Sequence, residues 1–150
     1  MIDLNRLRQL LLYDPATGEW RWLVHRNCNA RAGDVAGTIN SKGYRVIHVD
    51  HRVYKSSRLA WLYMTGQMPV RVDHRNRNKT DDTWTNLRLC TQSQNVANHP
   101  RRGVTMEGKR YVAIVKKDGK RVYRVSFPTF DEARAAYVAA KQRIYGEFAP

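Results

Sequence analysis

Residues 70–98 carry the pattern that most restricts what this 150-residue chain can fold into. Val70–His74 alternates apolar and polar residues as a short strand does, and a polar, asparagine-rich loop follows it. Asn86–Cys90 predicts a second strand. Thr91, with Gln94 three residues later, forms a capping box that predicts the start of a helix. Strand, loop, strand and helix in this order predict a small α+β unit.

Four polar residues fall at the ends of these predicted elements: Asp73, His74, Asn86 and Asn95. A carboxylate and an amide oxygen can hold a hard divalent cation, and an imidazole can take a proton from water. We expect His74 at a strand end and Asn95 on the first helical turn, where both can face one cleft. Metal-assisted cleavage of a phosphodiester requires these groups. Asparagine at turns and helix starts is also common as simple capping chemistry.

The chain is strongly basic, with 27 Lys and Arg against 13 Asp and Glu and a net charge of +14. A charge of this size predicts a polyanionic partner, and nucleic acid is the usual one. A phosphodiester-cutting cluster in a basic protein therefore indicates a nuclease.

Short elements are predicted before this unit. Asp3 can cap an N-terminal helix, and Ser56 or Ser57 can cap a helix that Gly66 ends. Stretches with the composition of short strands lie between them, at residues 19–23, 38–39, 44–49 and 52–55.

The C-terminal third predicts a separate small unit of a sheet and a helix. Tyr111–Val115 alternates, and Arg121–Val125 returns after a Gly-containing turn, as in a hairpin. Thr129 and Glu132 form a second capping box, which opens an amphipathic helix. Three short strands and one packed helix are expected here.

We therefore expect two domains, residues 1–100 and 101–150, with a linker at Pro100–Gly103. Cys28 and Cys90 are far apart and belong to no C-x-x-C pair, so reduced thiols are expected rather than a zinc site. The N-terminus lacks the apolar core of a signal peptide, and no stretch is long enough to span a membrane. These features predict a soluble cytoplasmic protein.

Motifs along the first hundred residues resemble those of the HNH, or ββα-metal, endonucleases, notably the phage and intron-encoded homing enzymes. Asp73-His74, Asn86–Arg88 and Gln94–Asn98 stand in the family's order and approximate spacing. Further motifs that fit the same order are Tyr13–Gly18, Gly43-Tyr44, Arg58–Trp61 and Gly66–Pro69.

Residues 103–149 are similar to the ethylene-response-factor-type DNA-binding domain that is often fused to these nucleases. The similarity implies an α+β chain: a ββα-metal HNH nuclease domain followed by a small three-stranded sheet plus helix that binds DNA. The signatures are Gly103-Val104, Tyr111 with Ala113, Gly119-Lys120, Phe130 with Ala136-Tyr137, and Gly146–Ala149.

The resemblance implies roles for the polar cluster. His74 would be the general base, and Asp73 and Asn95 would hold a single divalent cation per active site, Mg²⁺ or alternatively Mn²⁺. Asn86 would tie down the loop that holds the histidine. The products of such cleavage are 5′-phosphate and 3′-hydroxyl ends.

The implied partner is double-stranded DNA, held by a monomer or weak dimer in the cytoplasm of the host cell if the gene belongs to a bacteriophage. Basic residues that could contact phosphates flank the catalytic loop, and others line the C-terminal hairpin, where arginine can also read bases. They are Arg75, Arg77, Lys79, Arg88, Arg110, Lys116, Lys120, Arg121 and Arg124.

The sequence departs from the family at two places. Ser57 stands where a histidine is common, and Asp82-Thr83 replaces the usual Asn-Arg. We expect Asp82 to bring negative charge near the DNA and weaken a backbone contact. For Asp81 and Asp82, loop solvation or a turn is favoured over metal binding. The alternatives to a nuclease are a catalytically inactive DNA-binding protein on the same scaffold and a basic RNA-binding protein.

Overall fold

The computed structural model describes residues 2–26, 30–99 and 103–149. The chain divides into two compact units, Met1–Leu89 and Cys90–Pro150, each with its own apolar core. Both units combine helices with antiparallel strands, so the expected mixture of α and β structure is confirmed. The division into domains at residue 100 stays a prediction.

The first unit consists of short elements joined by tight turns. Strand β1 pairs with β2, strands β3, β4 and β5 form a meander, and β6 pairs with β7, all antiparallel. All the strands predicted in this unit are present, with ends that differ by at most two residues. In chain order the elements are α1 (Leu4–Leu10), β1 (Leu11–Tyr13), β2 (Trp20–Trp22), β3 (Thr38–Ile39), β4 (Arg45–Val49), β5 (Arg52–Lys55), α2 (Ser56–Thr65), β6 (Val72–His74), a 3₁₀ turn (Trp84–Asn86) and β7 (Leu87–Leu89).

Local capping explains where α1 begins and where α2 ends. The Asp3 carboxylate accepts a hydrogen bond from the backbone nitrogen of Arg6 at 2.8 Å, which confirms the predicted cap of α1. Gly66, with a φ of 76°, ends α2 in the left-handed region that glycine adopts without strain. The predicted serine cap of α2 is wrong, because Ser56 and Ser57 are buried inside its first turn and no side chain caps it.

An aromatic and aliphatic core holds these elements together. The ring of Trp20 is fully buried, 4.8 Å from the ring of Tyr13 and 5.7 Å from that of Tyr63. Leu59 from α2 and Leu87 from β7 belong to the same core. Full burial of one large apolar side chain contributes about 1.5–3 kcal/mol. These contacts therefore hold α2 and β7, the elements before and after β6 in the chain, against the same core.

The second unit is a three-stranded sheet with two helices. The sheet order is β10-β9-β8, antiparallel, and both predicted capping boxes, at Thr91 and Thr129, are present. The hairpin and the helix predicted for the C-terminal third are therefore confirmed. The elements are α3 (Gln92–Ala97), β8 (Val104–Glu107), β9 (Arg110–Lys117), β10 (Lys120–Phe127), α4 (Phe130–Tyr145) and a 3₁₀ turn (Gly146–Phe148).

Small residues let α4 pack closely on the sheet of this unit. Ala133 and Ala140 on α4 are buried with Ala113 on β9, and Cys90 packs partly buried against the same core. Cys28 and residues 100–102 of the predicted linker lie outside the described residues. Across the described ranges, no helix is long and apolar enough to cross a membrane.

The core predicts how the first unit responds to truncation. Leu59→Ala removes a fully buried side chain from α2 and should lower the free energy of unfolding by about 2–5 kcal/mol. Met64→Ala, on the same helix but 41% exposed, should change it by less than about 0.5 kcal/mol. Urea unfolding of both variants measures the difference. Equal losses would contradict the packing described for α2.

Candidate active site

Strands β6 and β7 place the first two residues of the polar cluster. Asp73 lies opposite Arg88 and His74 lies opposite Leu87 in the antiparallel ladder. Successive side chains of a strand point to opposite faces, so Asp73 and His74 enter different surroundings. Both are nevertheless buried, with exposures of 6% and 4%.

His74 is held by a carboxylate. Its Nε2 lies 2.9 Å from Oδ1 of Asp82, and both side chains are buried. An ionised carboxylate only accepts hydrogen bonds, so Nε2 carries the hydrogen and donates it. In the neutral ring Nδ1 is then the nitrogen that can take up a proton.

Asp82 is in turn held by two further elements. The Ser56 hydroxyl donates a hydrogen bond to its Oδ2, and the Tyr13 hydroxyl donates to its backbone oxygen at 2.6 Å. Burial first, and then the negative charges of Asp82, Asp14 and Asp81, raise the pKa of the Tyr13 hydroxyl. This hydroxyl therefore stays protonated and remains a donor across the ordinary pH range.

The expectation that the Asp82 carboxylate is solvated in the loop is wrong. Its exposure is 1%, because its carboxylate satisfies His74 and Ser56 instead of facing solvent. A signal was available in the sequence, since Asp82 stands where the family it resembles usually has asparagine. The buried position of Asp82 also explains why Ser56 does not cap α2, because its hydroxyl donates to this carboxylate instead.

Asp81 does form the predicted turn. Its Oδ1 accepts hydrogen bonds from the hydroxyl and the backbone nitrogen of Thr83, and its Oδ2 accepts one from Asn76. These hydrogen bonds, that of the Thr83 hydroxyl foremost, lower the pKa of Asp81. Its carboxylate is therefore used for holding the loop.

Asn86 braces the same loop from its other end. Its side-chain oxygen accepts from the backbone nitrogen of Asn76 at 3.0 Å, and its side-chain nitrogen donates to the backbone oxygen of Asp81 at 2.7 Å. Its own backbone oxygen accepts from the nitrogen of Arg75, the residue after His74. These are the loop-holding contacts expected of Asn86, while its part in catalysis stays a prediction.

Asp73 forms a buried ion pair with Arg88. Oδ2 of the carboxylate lies 2.9 Å from Nε and 2.9 Å from Nη2 of the guanidinium. Arg88 was expected to grip a phosphate on the surface, but its exposure is 5%. Its observed contact is with the predicted metal ligand, where its charge orients the carboxylate and offsets the cost of burying it.

The predicted donor set, the carboxylate of Asp73 and the amide of Asn95, has the chemistry that a hard divalent cation takes. A carboxylate and an amide oxygen are ligands that Mg²⁺ and Mn²⁺ take, and they leave positions for water and phosphate. Asn95, the predicted amide ligand, lies half-buried on the first turn of α3 in the second unit. Among the described residues, no three His, Cys, Asp or Glu side chains are grouped to hold a metal, so a carboxylate–amide set stays the prediction.

Most of the basic residues predicted to contact DNA are exposed. Arg75 and Arg77 lie exposed in the loop after His74, and Lys116, Lys120 and Arg121 lie exposed on the second unit's hairpin. Arg110 and Arg124 are exposed as well, and Arg110 donates to Ser126 and Arg124 to Glu107. Lys79 is partly buried and donates to the Lys42 backbone oxygen.

This geometry can be compared with known proteins. Residues 54–97 match the family model described as HNH endonuclease. The matched segment contains Asp73, His74, Asp82, Asn86 and Asn95. The predicted resemblance to HNH endonucleases is therefore confirmed for this segment, and it points to a nuclease.

A viral protein gives the same indication. The chain is 34% identical over 95 residues, 59% of its length, to a protein of Acanthamoeba polyphaga mimivirus named an uncharacterized HNH endonuclease. The chain spans about half the length (51%) of that relative. No solved structure matches the chain. The resemblance of residues 103–149 to a DNA-binding domain stays a prediction.

A glycine supports the Asp82 loop and allows a test of this geometry. A Cβ on Gly18 would lie 2.5 Å from the backbone carbon of Asp82, and the φ of Gly18 is 74°. Gly18→Ala should therefore destabilise the first unit by about 1–3 kcal/mol through overpacking, beyond the strain of a positive φ. Gly33→Ala is the control, because Gly33 has a φ of 92° but no atom within 4 Å of its Cβ position. Thermal unfolding should show the larger loss for Gly18→Ala, and equal losses would contradict the close approach to Asp82.

Proposed function

We propose that this chain is a divalent-metal-dependent DNA endonuclease of the HNH homing type. It would hydrolyse a DNA phosphodiester with a histidine-activated water and leave 5′-phosphate and 3′-hydroxyl ends. The observation that carries the proposal is the buried hydrogen bond between His74 and Asp82, next to Asp73, within the segment that matches HNH endonucleases.

His74 is the general base in this proposal. Nδ1 takes a proton from the attacking water, because Nε2 already donates its hydrogen to Asp82. The carboxylate keeps the ring in one tautomer and stabilises the positive charge that the ring gains, as in other carboxylate–histidine pairs. Ser56 and Tyr13 keep that carboxylate in place.

Asp73 and Asn95 would hold one divalent cation, Mg²⁺ or alternatively Mn²⁺, in the ββα-metal arrangement. When bound, such a cation stabilises negative charge at the scissile phosphate and on the departing 3′ oxygen. Arg88 holds the Asp73 carboxylate, and Asn86 braces the loop that carries His74.

The basic surface would hold double-stranded DNA. The net charge of +14 favours a polyanion, and residues 101–150 would serve as an ethylene-response-factor-type DNA-binding domain beside a nuclease domain of residues 1–100. The protein would bind this DNA as a monomer or weak dimer. If the gene is that of a bacteriophage, it would do so in the cytoplasm of the host cell. The exposed Arg75 and Arg77 would contact phosphates near the cut.

Nicking of supercoiled plasmid in Mg²⁺ tests the proposal. His74→Ala should lower the rate about 10²–10⁴-fold, the typical contribution of a general base, and EDTA should stop the reaction. His48→Ala, which changes an exposed histidine on β4, is the control and should cut at the wild-type rate. Tight DNA binding without any cutting would support the inactive DNA-binding protein instead.

A second prediction tests the positioning role of Asp82. Asp82→Ala removes the partner of Nε2 and should slow nicking about 10–100-fold, as loss of an orienting partner does. Asp82→Asn keeps an oxygen for Nε2 but loses the negative charge that stabilises the protonated ring, so it should recover only part of the rate. Thermal unfolding identifies folded samples for comparison. A folded Asp82→Ala protein that cuts at the wild-type rate would contradict this role.

A further inference from the structure

Two lysines lie close to the ring of Tyr44 in the first unit. Nζ of Lys55 lies 3.6 Å from the centroid of this ring, and Nζ of Lys79 lies 4.9 Å from it. Lys79 also donates to the backbone oxygen of Lys42 at 3.0 Å, so Lys42 lies next to these two lysines. With the two arginines whose charges act on Lys55, the Tyr44 cation cluster comprises Lys42, Lys55, Arg58, Arg71 and Lys79.

The charges of this cluster lack an acidic partner among the residues that the structure describes. In the described part of the chain, none of its five members forms an ion pair with a carboxylate. Desolvation first, and then the charges of Arg71, Arg58 and the other two lysines, lower the pKa of Lys55. The free protein therefore holds Lys55 against the repulsion of its neighbours.

Five separate parts of the unit contribute to this arrangement. Lys55 ends β5, Arg58 lies on α2, and the others come from the β3–β4 turn and from both sides of β6. Arg58 is fixed by a hydrogen bond from its Nε to the backbone oxygen of Pro69 at 2.8 Å. Chain folding, rather than a local run of basic residues, brings these positive charges together.

The cluster adjoins the candidate active site. The ring of Tyr44 lies 6.2 Å from the ring of His74, centroid to centroid. A DNA strand that brings one phosphate to His74 carries further phosphates on either side of it. A nearby set of uncompensated cations is suited to bind such a flanking phosphate.

We infer that the Tyr44 cation cluster is a binding site for the phosphodiester backbone of duplex DNA, next to the bond that is cut. The inference rests on the proposed function for its position relative to the cut, and it adds Lys42, Lys55, Arg58 and Arg71 to the DNA contacts. Binding of the backbone offsets the repulsion among these cations, so that they favour the complex over the free protein.

A purely structural role for the cations makes a different prediction. If Lys55 serves only to cover Tyr44, its removal should destabilise the fold and leave DNA binding unchanged. If it serves DNA, Lys55→Met keeps the apolar cover, removes a repelled charge and weakens binding without loss of thermal stability. DNA binding should then weaken while thermal stability is retained.

The test measures binding of the full chain to a fluorescent DNA duplex in EDTA, at a series of salt concentrations. Without metal no cutting is expected, so the result does not depend on whether the chain is an active nuclease, which plasmid nicking tests separately. Lys55→Met and Arg71→Gln should each reduce the magnitude of the log–log salt slope by about 0.9, the value for one phosphate contact. Arg52→Gln is the control, because it removes one exposed charge from the same strand as Lys55 but from its opposite face.

Four results would overturn the inference. One is a salt slope that falls as much for Arg52→Gln as for the cluster variants, and another is a salt slope that is unchanged in Lys55→Met and Arg71→Gln. A further one is stronger displacement of the duplex by inorganic phosphate than by chloride at the same ionic strength, which would indicate a site for free phosphate. The last is tighter binding of an RNA duplex of the same sequence. A reduced slope for both variants, with unchanged melting temperature and a normal Arg52→Gln protein, supports it.

Discussion

The buried carboxylate of Asp82 joins four parts of the first unit. One oxygen accepts from His74 on β6 and the other from Ser56 on α2, while its backbone oxygen accepts from Tyr13 on β1. Its backbone also lies against Gly18 in the turn after β1. A buried charge is tolerated only when it is hydrogen-bonded, so these elements must adopt their observed positions together. The position of His74 therefore depends on contacts throughout the unit.

The loop between His74 and β7 follows from its polar composition. Asn76, Asn78 and Asp81 each accept a hydrogen bond from the backbone nitrogen two residues later, and Asn86 closes the loop through Asn76. Such side-chain bonds replace a regular ladder and rigidify a segment that has few apolar residues. The asparagines of this loop are thus largely structural, and their contacts help to place Asp82 in the interior.

Local signals in the sequence were enough to predict most elements but not the partners of the site residues. Capping boxes at Thr91 and Thr129 depend on side chains three residues apart, and both were predicted correctly. Ser56, Asp82 and Arg88 were placed wrongly or assigned to solvent, because their partners are 26, 8 and 15 residues away and no local pattern encodes them. The resemblance to a nuclease family identified the positions, whereas tertiary contacts determine what each side chain does.

Charged side chains are paired differently in the interior of the first unit and on its surface. Inside, each acid is matched: Asp73 by Arg88, and Asp82 by His74 and Ser56. Around Tyr44, within the described residues, the positive charges form no ion pair with an acid, and burial first and then the neighbouring cations lower the pKa of Lys55. Pairing inside keeps the candidate catalytic groups in place, because an unmatched buried charge would unfold the site. Leaving the outer cations unmatched keeps their field available to an anion, as the proposed DNA-backbone site beside His74 requires.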